Sequence, residues 1–564
     1  MEYREFVEVY EKLGKTTKRL EKVSILADFL REIKKRGKKE WTYLLNGKVF
    51  PDYDTREFGI SRQLAIKSIA HSFGIKEDEV MKRFRKLGDL GEIAEEFSIR
   101  KKQMTLTAEK LKVEKVFENL RKVAEVEGKG AVERKLDLVK ELLSNASGKE
   151  AKYIIRTLLN DLRIGVAEGV MRDALAEAFL KGEEKASEKI EEAYDLVNDY
   201  AVVFEAASKG LKELEKVEIV PGKPMNVMLA VKARDIEEAF EICGGKEVAI
   251  ETKYDGFRML INKEKSGKIT LFTRRLENVT NQFPDVVEMV KKHVKGESFI
   301  LDSEVVGFDA KTKKYKPFEA ISQRIKRKYD IEELERKLPV EVNIFDIIYY
   351  NGKSIMNLPF KERRKIIEKI VENVKLKIRV AEQIVTDSVE EAMEFYKKCL
   401  KMGEEGIMIK NLNAGYKPGR RIGYMAKLKP ETKDFDLVIV GAEYGTGKRA
   451  GWLSSYILAC NDNGKLLEVG KVSSGLKEKE SEGTTFEEIT KLLKPLIIEE
   501  KGNVVRVKPK IVVSVTYQNI QKSPSYSSGY ALRFPRITNY RPDRRVEDIS
   551  SLQEIEKEFK KGRK

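Results

Sequence analysis

Prolines are almost absent from the first two hundred residues, and only Pro51 precedes Pro221. A proline inside a helix removes a backbone hydrogen bond and clashes with the preceding turn, so a long stretch without proline permits helices. Apolar residues recur there at the spacing of one helix face, for example Leu13, Leu20, Val23, Ala27 and Leu30. The pattern predicts an all-α first domain that spans residues 1–217.

The pattern changes at the double-proline loop 221–224, which cannot continue a helix. Short segments rich in β-branched and aromatic residues follow it, with helical stretches between them. The strand-like segments are 248–261, 269–273, 299–308 and 342–350, and the helical ones are 286–294 and 389–401. Together they predict an α+β domain built around antiparallel sheets, spanning residues 218–430.

A third pattern begins after Lys429-Pro430, where strand-like segments alternate with glycine-containing turns. The clearest segments are 437–443, 455–459 and 511–517. They predict a small β-barrel within residues 431–564, followed by a charged amphipathic helix over 550–564. Division into several domains also agrees with the length of 564 residues, which is too great for one compact core.

The composition is dense in charges of both signs, at 36% of residues, with a net charge of +17. This balance has two interpretations that are compatible with each other. One is the charge-rich surface of a thermophile's protein, and the other is an electropositive face for a polyanion such as nucleic acid.

Cysteine and histidine are scarce, with three and two residues in the whole chain. The cysteines are far apart and form no CxxC pair, so neither a disulfide framework nor a cysteine zinc site is supported. Two histidines leave little room for a Ser-His-Asp triad. Any chemistry must therefore rest on lysine, arginine and carboxylates. The charged N-terminus and the absence of a long apolar stretch predict a cytoplasmic protein without a membrane span.

The segment Glu251-Thr252-Lys253-Tyr254-Asp255-Gly256-Phe257-Arg258 places a lysine at the end of an apolar alternation. A lysine amine can act as a nucleophile once its pKa is lowered, and we expect burial or nearby cations to lower it here. The other interpretation of the segment is an ordinary hairpin turn, because Asp-Gly is common in such turns.

Further segments follow this lysine in a fixed order. They are 273–280, 301–304, 343–346, 405–410 and 427–429, and the last of the series is Ala531-Leu532-Arg533-Phe534-Pro535-Arg536. Together they resemble the ordered motifs of the covalent nucleotidyltransferases, and 531–536 resembles the closing motif of ATP-dependent DNA ligases. The whole chain is similar to the replicative DNA ligases of archaea and eukaryotes. The resemblance implies a helical DNA-binding domain, an adenylation domain and an oligonucleotide-binding (OB-fold) barrel. One departure is Ser303, where the family usually has glycine.

The resemblance also implies roles for individual residues. Lys253 would be the nucleophile that takes AMP from ATP, and Glu304 and Glu405 would hold Mg²⁺ through oxygen ligands. Phe345 would stack on adenine, and Arg533 and Arg536 would orient the pyrophosphate. The full set implied to bind the nucleotide or its phosphates is Glu251, Arg258, Arg274, Glu304, Phe345, Arg421, Lys427, Lys429, Arg533 and Arg536.

The substrate implied by the resemblance is nicked duplex DNA, sealed in replication, repair and recombination by a monomer. Residues 160–169 resemble the segment of the ligases' helical domain that grips the minor groove. The segment around Gln103 stands where related archaeal ligases carry a sliding-clamp-binding peptide, although its paired aromatic residues are absent here. The alternatives are an RNA ligase or capping guanylyltransferase, which share the lysine chemistry, and a non-catalytic DNA-binding scaffold.

Overall fold

The computed structural model describes residues 1–102, 110–316, 318–326, 331–420, 422–430, 434–445, 449, 451–478 and 484–561. Gln103 and Arg421 lie outside the described residues. The chain divides into two compact units, Met1–Cys399 with Glu404–Leu428, and Leu400–Gly403 with Lys429–Lys564. The three predicted domains are a finer division, and their boundaries stay predictions. No helix in the described ranges is both long and apolar enough to cross a bilayer.

The first two hundred residues are helical, as predicted. The helices are α1 (Tyr3–Lys15), α2 (Arg19–Arg36), α3 (Arg62–Phe73), α4 (Glu77–Leu87), α5 (Leu90–Lys102), α6 (Val113–Glu125), α7 (Ala131–Asn145), α8 (Gly148–Leu158), α9 (Glu168–Phe179), α10 (Ala186–Val197), α11 (Tyr200–Ser208) and α12 (Leu211–Leu214). Their apolar faces form one continuous core that extends from Tyr3 to Leu214.

One residue of the predicted apolar face is exposed in the structure. Leu20 is 83% exposed, whereas Leu13, Val23, Ala27 and Leu30 are buried. The prediction for Leu20 is wrong because α2 begins only at Arg19, so Leu20 lies in its first turn. The buried residues of α2 start at Lys22, and Leu20 precedes them at the exposed start of the helix.

The next part of the chain mixes strands and helices, as predicted. The strands are β1 (Val231–Lys232), β2 (Val248–Lys253), β3 (Phe257–Lys263), β4 (Ile269–Thr273), β5 (Phe299–Gly307), β6 (Val340–Tyr350), β7 (Lys353–Ser354), β8 (Ile378–Val380), β9 (Gln383–Thr386), β10 (Gly406–Asn411) and β11 (Met425–Leu428). The helices are α13 (Ile236–Ile242), α14 (Pro284–His293), α15 (Phe318–Lys326), α16 (Ile331–Lys337), α17 (Phe360–Ile370) and α18 (Val389–Lys401).

Among the described residues these strands form two sheets. The first has the order β1-β11-β10-β2-β9, and the second has the order β4-β3-β5-β6-β7 with β8 paired to β6. Most pairs are antiparallel as predicted, but β1–β11 and β6–β8 are parallel. The predicted segment 248–261 is divided between β2 of the first sheet and β3 of the second. The turn after Lys253 therefore leads from one sheet to the other.

Each sheet is packed on both faces. One face of the first sheet packs on α13 and α18 through residues such as Ile250 and Phe395. One face of the second sheet packs on α14 and α17. A further apolar cluster joins the two sheets, with Leu260 and Ile300 from the second and Met425 from the first. The candidate site lies beside this cluster, on the faces that the two sheets turn toward each other.

The second compact unit is rich in β-structure, as predicted. Its strands are β12 (Phe435–Tyr444), β13 (Leu453–Asp462), β14 (Lys465–Val472), β15 (Ile497–Lys501), β16 (Val504–Val507), β17 (Val512–Thr516), β18 (Asn519–Lys522), β19 (Tyr530–Arg533) and β20 (Arg536–Tyr540), and its helices are α19 (Phe486–Leu493) and α20 (Leu552–Lys561). The central strand β12 pairs with β13, β16 and β17. The short helix α20 agrees with the predicted C-terminal helix.

Within the first unit, Asp195 of α10 contacts two segments of the α+β region. Asn226 Nδ2 donates to Asp195 Oδ1 at 2.7 Å, and Asn226 N donates to the Asp195 carbonyl at 2.9 Å. Gly419 has a φ of +70°, and a Cβ there would lie 2.2 Å from Asp195 Oδ2. Burial raises the pKa of the Asp195 carboxyl to about 6. This carboxylate therefore destabilises the fold once it is ionised.

We expect Asp195→Asn to stabilise the first unit in a pH-dependent way. The folded state raises the pKa from 3.8, so the cost of the ionised carboxylate grows between about pH 4 and pH 6 and is constant above that range. The amide keeps an oxygen for Asn226 and removes the charge, so the gain should reach about 2 kcal/mol at pH 8 and be small at pH 4. Chemical denaturation at both pH values measures it, with the exposed Asp137→Asn as control. An equal gain at both pH values would contradict the electrostatic explanation.

Candidate active site

Lys253 is the last residue of β2 and points out of the apolar core of the first sheet. Val248 and Ile250 belong to that core. Side chains alternate along a strand, so Ala249, Glu251 and Lys253 share the opposite face. The sequence prediction that this lysine ends a strand is confirmed.

Glu405 is the direct partner of Lys253. The two residues are brought together by the antiparallel pairing of β2 with β10, in which Lys253 lies opposite Gly406. Glu405 N donates to the Lys253 carbonyl at 3.0 Å, and Lys253 Nζ lies 2.6 Å from Glu405 Oε2. Both side chains retain about a fifth of their exposure, at 20% and 19%. The amine is therefore partly enclosed and still accessible to a substrate.

The expectation that the site lowers the pKa of Lys253 is wrong for the protein by itself. Burial lowers this pKa, but the carboxylates of Glu405, Glu304 and Asp255 raise it further, so the pKa lies above its ordinary value. The ammonium is thus stabilised by its ion pair with Glu405. Attack by the free amine requires that this pair be broken and that a proton be removed.

The turn after Lys253 depends on Gly256. A Cβ at this position would lie 2.3 Å from the carbonyl oxygen of Val305, which is backbone of β5 and cannot move independently of the sheet. The turn is also fixed by Glu404, whose Oε2 accepts from Asp255 N at 3.1 Å. Burial raises the pKa of the Glu404 carboxyl to about 7. The turn is therefore tied both to the second sheet and to the loop that carries Glu405.

Glu304 approaches Lys253 from the second sheet. It lies on β5 opposite Arg258 of β3. Burial raises the pKa of the Glu304 carboxyl to about 7; Lys253 and Arg258 oppose this shift, whereas Glu405 adds to it. The neighbouring Ser303, which replaces the family's usual glycine, is fully buried and donates from Oγ to the Met259 carbonyl at 2.8 Å. The substitution is thus accommodated without an unpaired hydroxyl.

Arg258 is held by protein groups on several sides. Its Nε and Nη2 donate to the two oxygens of Asp302 at 2.8 and 2.5 Å, and Nη1 donates to the Met228 carbonyl at 2.7 Å. Tyr416 donates from its hydroxyl to Asp302 Oδ2 at 2.7 Å. The guanidinium lies 5.5 Å from the centre of the Phe345 ring. Arg258 is therefore a rigid cation beside the predicted adenine position rather than a mobile phosphate ligand.

Phe345 and Glu251 face each other across the two sheets, with Lys410 between them. Phe345 lies on β6 and is partly exposed. Lys410 Nζ lies 4.5 Å from the Phe345 ring centre and 2.6 Å from Glu251 Oε2. Gln383 Nε2 donates to Glu251 Oε1 at 2.9 Å. The structure thus brings together the predicted stacking residue and one predicted nucleotide-binding carboxylate.

The remaining predicted residues lie on several different elements. Arg274 is exposed in the turn after β4. Lys427 is partly buried on β11 opposite Met408, which itself lies opposite Glu251, so Lys427 is on the same face of the first sheet as Glu251 and Lys253. Lys429, Arg533 and Arg536 belong to the second compact unit, where Arg533 ends β19 and Arg536 begins β20. Between them Phe534 is 68% exposed and has a φ of +48°. Their predicted roles stay predictions.

Sequence reasoning missed four residues of this site, namely Arg364, Gln383, Glu404 and Lys410. Lys410 lies within a segment that resembles a ligase motif, and its spacing from Met408 places both side chains on one strand face. Glu404 precedes a predicted metal ligand. Arg364 and Gln383 lie outside every quoted motif, and only the fold brings them to Glu251.

Two carboxylates near Lys253 suit a divalent cation. Within the described residues no three His, Cys, Asp or Glu side chains gather in a way that could hold a metal by themselves. Glu405 nevertheless lies close enough to Glu304 that its charge raises the cost of ionising the Glu304 carboxyl. A hard divalent cation would relieve this repulsion and would complete its coordination with phosphate oxygens or water. The donor set therefore fits Mg²⁺ bound together with a nucleotide.

The predicted DNA-gripping segment 160–169 covers most of the loop between α8 and α9 and the first two residues of α9. Asn160, Arg163 and Gly165 have φ values of +53°, +58° and +64°. The buried Lys22 of α2 donates from Nζ to the carbonyls of Ile164 and Gly165 at 2.8 and 3.0 Å. The loop therefore has a strained backbone that is fixed from inside the helical core, and α9 begins directly after it at Glu168.

Known protein families match all three parts of the chain. Residues 2–176 match the DNA ligase N terminus, residues 227–429 match the ATP dependent DNA ligase domain, and residues 449–544 match the ATP dependent DNA ligase C terminal region. The central match includes Lys253 and the two sheets. The fold and the site thus fit the class of multidomain nucleotidyltransferases.

Relatives that match over the full length of the chain identify the family to which it belongs. The chain is 46% identical to a DNA ligase of Nanoarchaeum equitans, over 100% of this chain and 99% of the relative. It is 41% identical to a DNA ligase of Thermococcus fumicolans, over 98% of each. The chain belongs to the ATP-dependent DNA ligase family, and its activity is ATP-dependent DNA ligation. A solved structure described as Pmar-Lig_PreS3 has a similar fold, with a TM-score of 0.57 and 17% identity over 95% of this chain and 99% of that one.

Proposed function

We propose that this ligase seals nicks in duplex DNA through a covalent lysine–AMP intermediate on Lys253. The observation that carries the proposal is the position of this one lysine. It ends β2, remains partly accessible, and has Glu405 and Glu304 beside it, with Phe345 and Glu251 nearby on the same two sheet faces. A nucleophile, carboxylates and a stacking ring are what nucleotidyl transfer to an amine requires.

The reaction proceeds in three displacements at phosphorus. The Lys253 amine, after losing a proton, attacks the α-phosphorus of ATP, so that an N–P bond forms and pyrophosphate leaves. The 5′-phosphate at the nick then attacks the same phosphorus, the N–P bond breaks and AMP-DNA forms. Finally the 3′-hydroxyl loses its proton, attacks the 5′-phosphorus and releases AMP. Positioning and charge stabilisation supply most of the catalysis in such transfers.

Charged side chains of this protein would bind the phosphates and stabilise their negative charge at each step. Mg²⁺, held by Glu304 and Glu405, would offset the negative charge of the phosphates. Lys427 and Lys429, with Arg421, are proposed to contact phosphate oxygens, and Arg533 and Arg536 are proposed to orient the pyrophosphate. Arg274 is proposed to contact the nucleotide or the phosphate at the nick. Lys253 itself is released from Glu405 when it becomes the nucleophile.

DNA is proposed to bind through the helical region and through the basic surface of the chain. The strained loop 160–167 and the start of α9 offer backbone groups of the kind that contact phosphates. The net charge of +17 supports electrostatic binding of DNA, with an affinity that falls as the salt concentration rises. The same proposal includes a role in DNA replication, repair and recombination. It also includes a monomeric state, a cytoplasmic location and binding of a sliding clamp by the segment around Gln103.

The proposal is tested with ATP labelled at the α-phosphate. The purified protein, freed of bound AMP with pyrophosphate, should become labelled on a denaturing gel in the presence of Mg²⁺. A chase with nicked duplex DNA should move the label to DNA and then release it as AMP, with appearance of the sealed strand. Labelling by GTP alone would indicate a capping enzyme, and sealing of RNA ends alone would indicate an RNA ligase. No label with ATP, GTP or NAD would indicate a DNA-binding scaffold.

A further inference from the structure

Lys410 is a buried lysine on the same strand face as the site. It is 4% exposed and lies near the end of β10. In the pairing of β10 with β2, Met408 lies opposite Glu251 and Lys410 lies opposite Ala249. Lys410 and Glu251 are therefore diagonal neighbours on one face of the sheet, where long side chains meet.

The surroundings of the Lys410 ammonium are two aromatic rings and one carboxylate. Nζ lies 4.5 Å from the ring centres of Phe345 and Phe360 and 2.6 Å from Glu251 Oε2. A buried ammonium is costly unless it is compensated, and here the compensation comes from the carboxylate and the two ring faces. The same contacts fix the Phe345 ring and the Glu251 carboxylate relative to each other.

Both oxygens of Glu251 are held by donors or cations of the protein. Gln383 Nε2 donates to Oε1 at 2.9 Å, and Arg364 Nη1 lies 3.4 Å from the same oxygen, while Lys410 pairs with Oε2. This arrangement holds Glu251 as a hydrogen-bond acceptor next to a ring that is proposed to stack on a base. An acceptor at this place favours the exocyclic amino group of adenine over the O6 carbonyl of guanine.

We propose that Lys410 is the positioning residue that sets the selectivity for adenine over guanine, because it holds Glu251 and Phe345 in one fixed arrangement. The proposal rests on the lysine–AMP function proposed above. Lys410 acts through these two side chains and leaves the attack by Lys253 unchanged. Its loss should therefore affect recognition of the base far more than the rate of the chemical step.

The test compares self-adenylation and self-guanylylation of Lys410→Met with the unchanged protein. We expect the KM for ATP to rise at least about tenfold, with kcat at saturating ATP changed less than about threefold. The ratio of kcat/KM for ATP to that for GTP should fall at least about tenfold. Lys410→Arg keeps the positive charge and should recover part of the ratio. The control is Lys365→Met, because Lys365 is 69% exposed and pairs with Glu362 on the surface of α17.

A second variant covers the case in which Lys410→Met fails to fold because Glu251 is left as an uncompensated buried carboxylate. The double variant Lys410→Met/Glu251→Gln removes both charges, so we expect it to fold, and it is compared with Glu251→Gln alone. Because Lys410 acts through Glu251, the double variant should lose little more base selectivity than Glu251→Gln, and a further loss of about tenfold would contradict the proposal. An unchanged ratio of ATP to GTP use in a folded variant would overturn the proposal. If the unchanged protein took no label from ATP, the lysine–AMP function itself would fail, so the two failures are distinguishable.

Discussion

Replacing Lys253 by alanine is expected to abolish labelling of the protein by α-labelled ATP, a loss of about 10⁴-fold or more. No other amine is assigned to this reaction, and the side chain that would form the bond to phosphorus is removed. Sealing of nicked DNA from ATP should be lost with it. Sealing of DNA that already carries AMP at the 5′-phosphate should survive in part, because that step needs no lysine–AMP. The measurements are the gel assay for label and a ligation assay on both substrates.

A matched variant separates the chemistry from the fold. Lys253→Arg keeps a cation beside Glu405, and a guanidinium stays protonated and does not act as a nucleophile. We therefore expect it to melt close to the unchanged protein while it fails to become labelled. Lys268→Ala, at a position 72% exposed, should label normally. Label on Lys253→Arg at the normal level would show that the covalent bond forms elsewhere.

Replacing Gly256 by alanine is expected to lower self-adenylation by about 100-fold and to destabilise the region around the two sheets. The new Cβ would lie 2.3 Å from the Val305 carbonyl oxygen, so the turn or β5 must shift. A shift of about 1 Å in a catalytic group is enough for a loss of this size. Single-turnover adenylation at saturating ATP and the melting temperature measure the two effects.

Gly14→Ala is the control for this substitution. Gly14 lies in α1, where an added Cβ meets no atom within 4 Å, and alanine is a better helix former than glycine. We expect adenylation to be unchanged in Gly14→Ala. Normal adenylation in Gly256→Ala would mean that the turn accommodates a methyl group without moving Lys253, and the argument from close packing would then be wrong.

The ion pair between Lys253 and Glu405 gives this site a resting state that is charged. Carboxylates raise the pKa of the lysine although burial lowers it. Binding of a polyanion with its cation must therefore change the partners of both groups before the amine can react. Composition and spacing do not reveal this arrangement, because Glu405 reaches Lys253 only through the pairing of β10 with β2.

Much of the secondary structure could be predicted from local patterns. The absence of proline before Pro221 agrees with the helical front, and 269–273 and 389–401 are observed as β4 and α18 with the predicted limits. Leu20 shows where this reasoning fails, because it lies in the exposed first turn of α2, before the residues of that helix that reach the core. The segment 248–261 shows a second limit, since one apolar run supplies strands to two different sheets.

The sequence by itself determined the residue types of the site and the order in which they follow Lys253. It also determined that Lys253 would end a strand and that a turn with glycine would follow, because alternation and turn chemistry are local properties. The tertiary structure decided which carboxylate pairs with the lysine, that Asp302 immobilises Arg258, and that Lys410 lies against Glu251. These contacts join residues far apart in the chain. They arise from strand register and from the packing of one sheet on another, which no local pattern encodes.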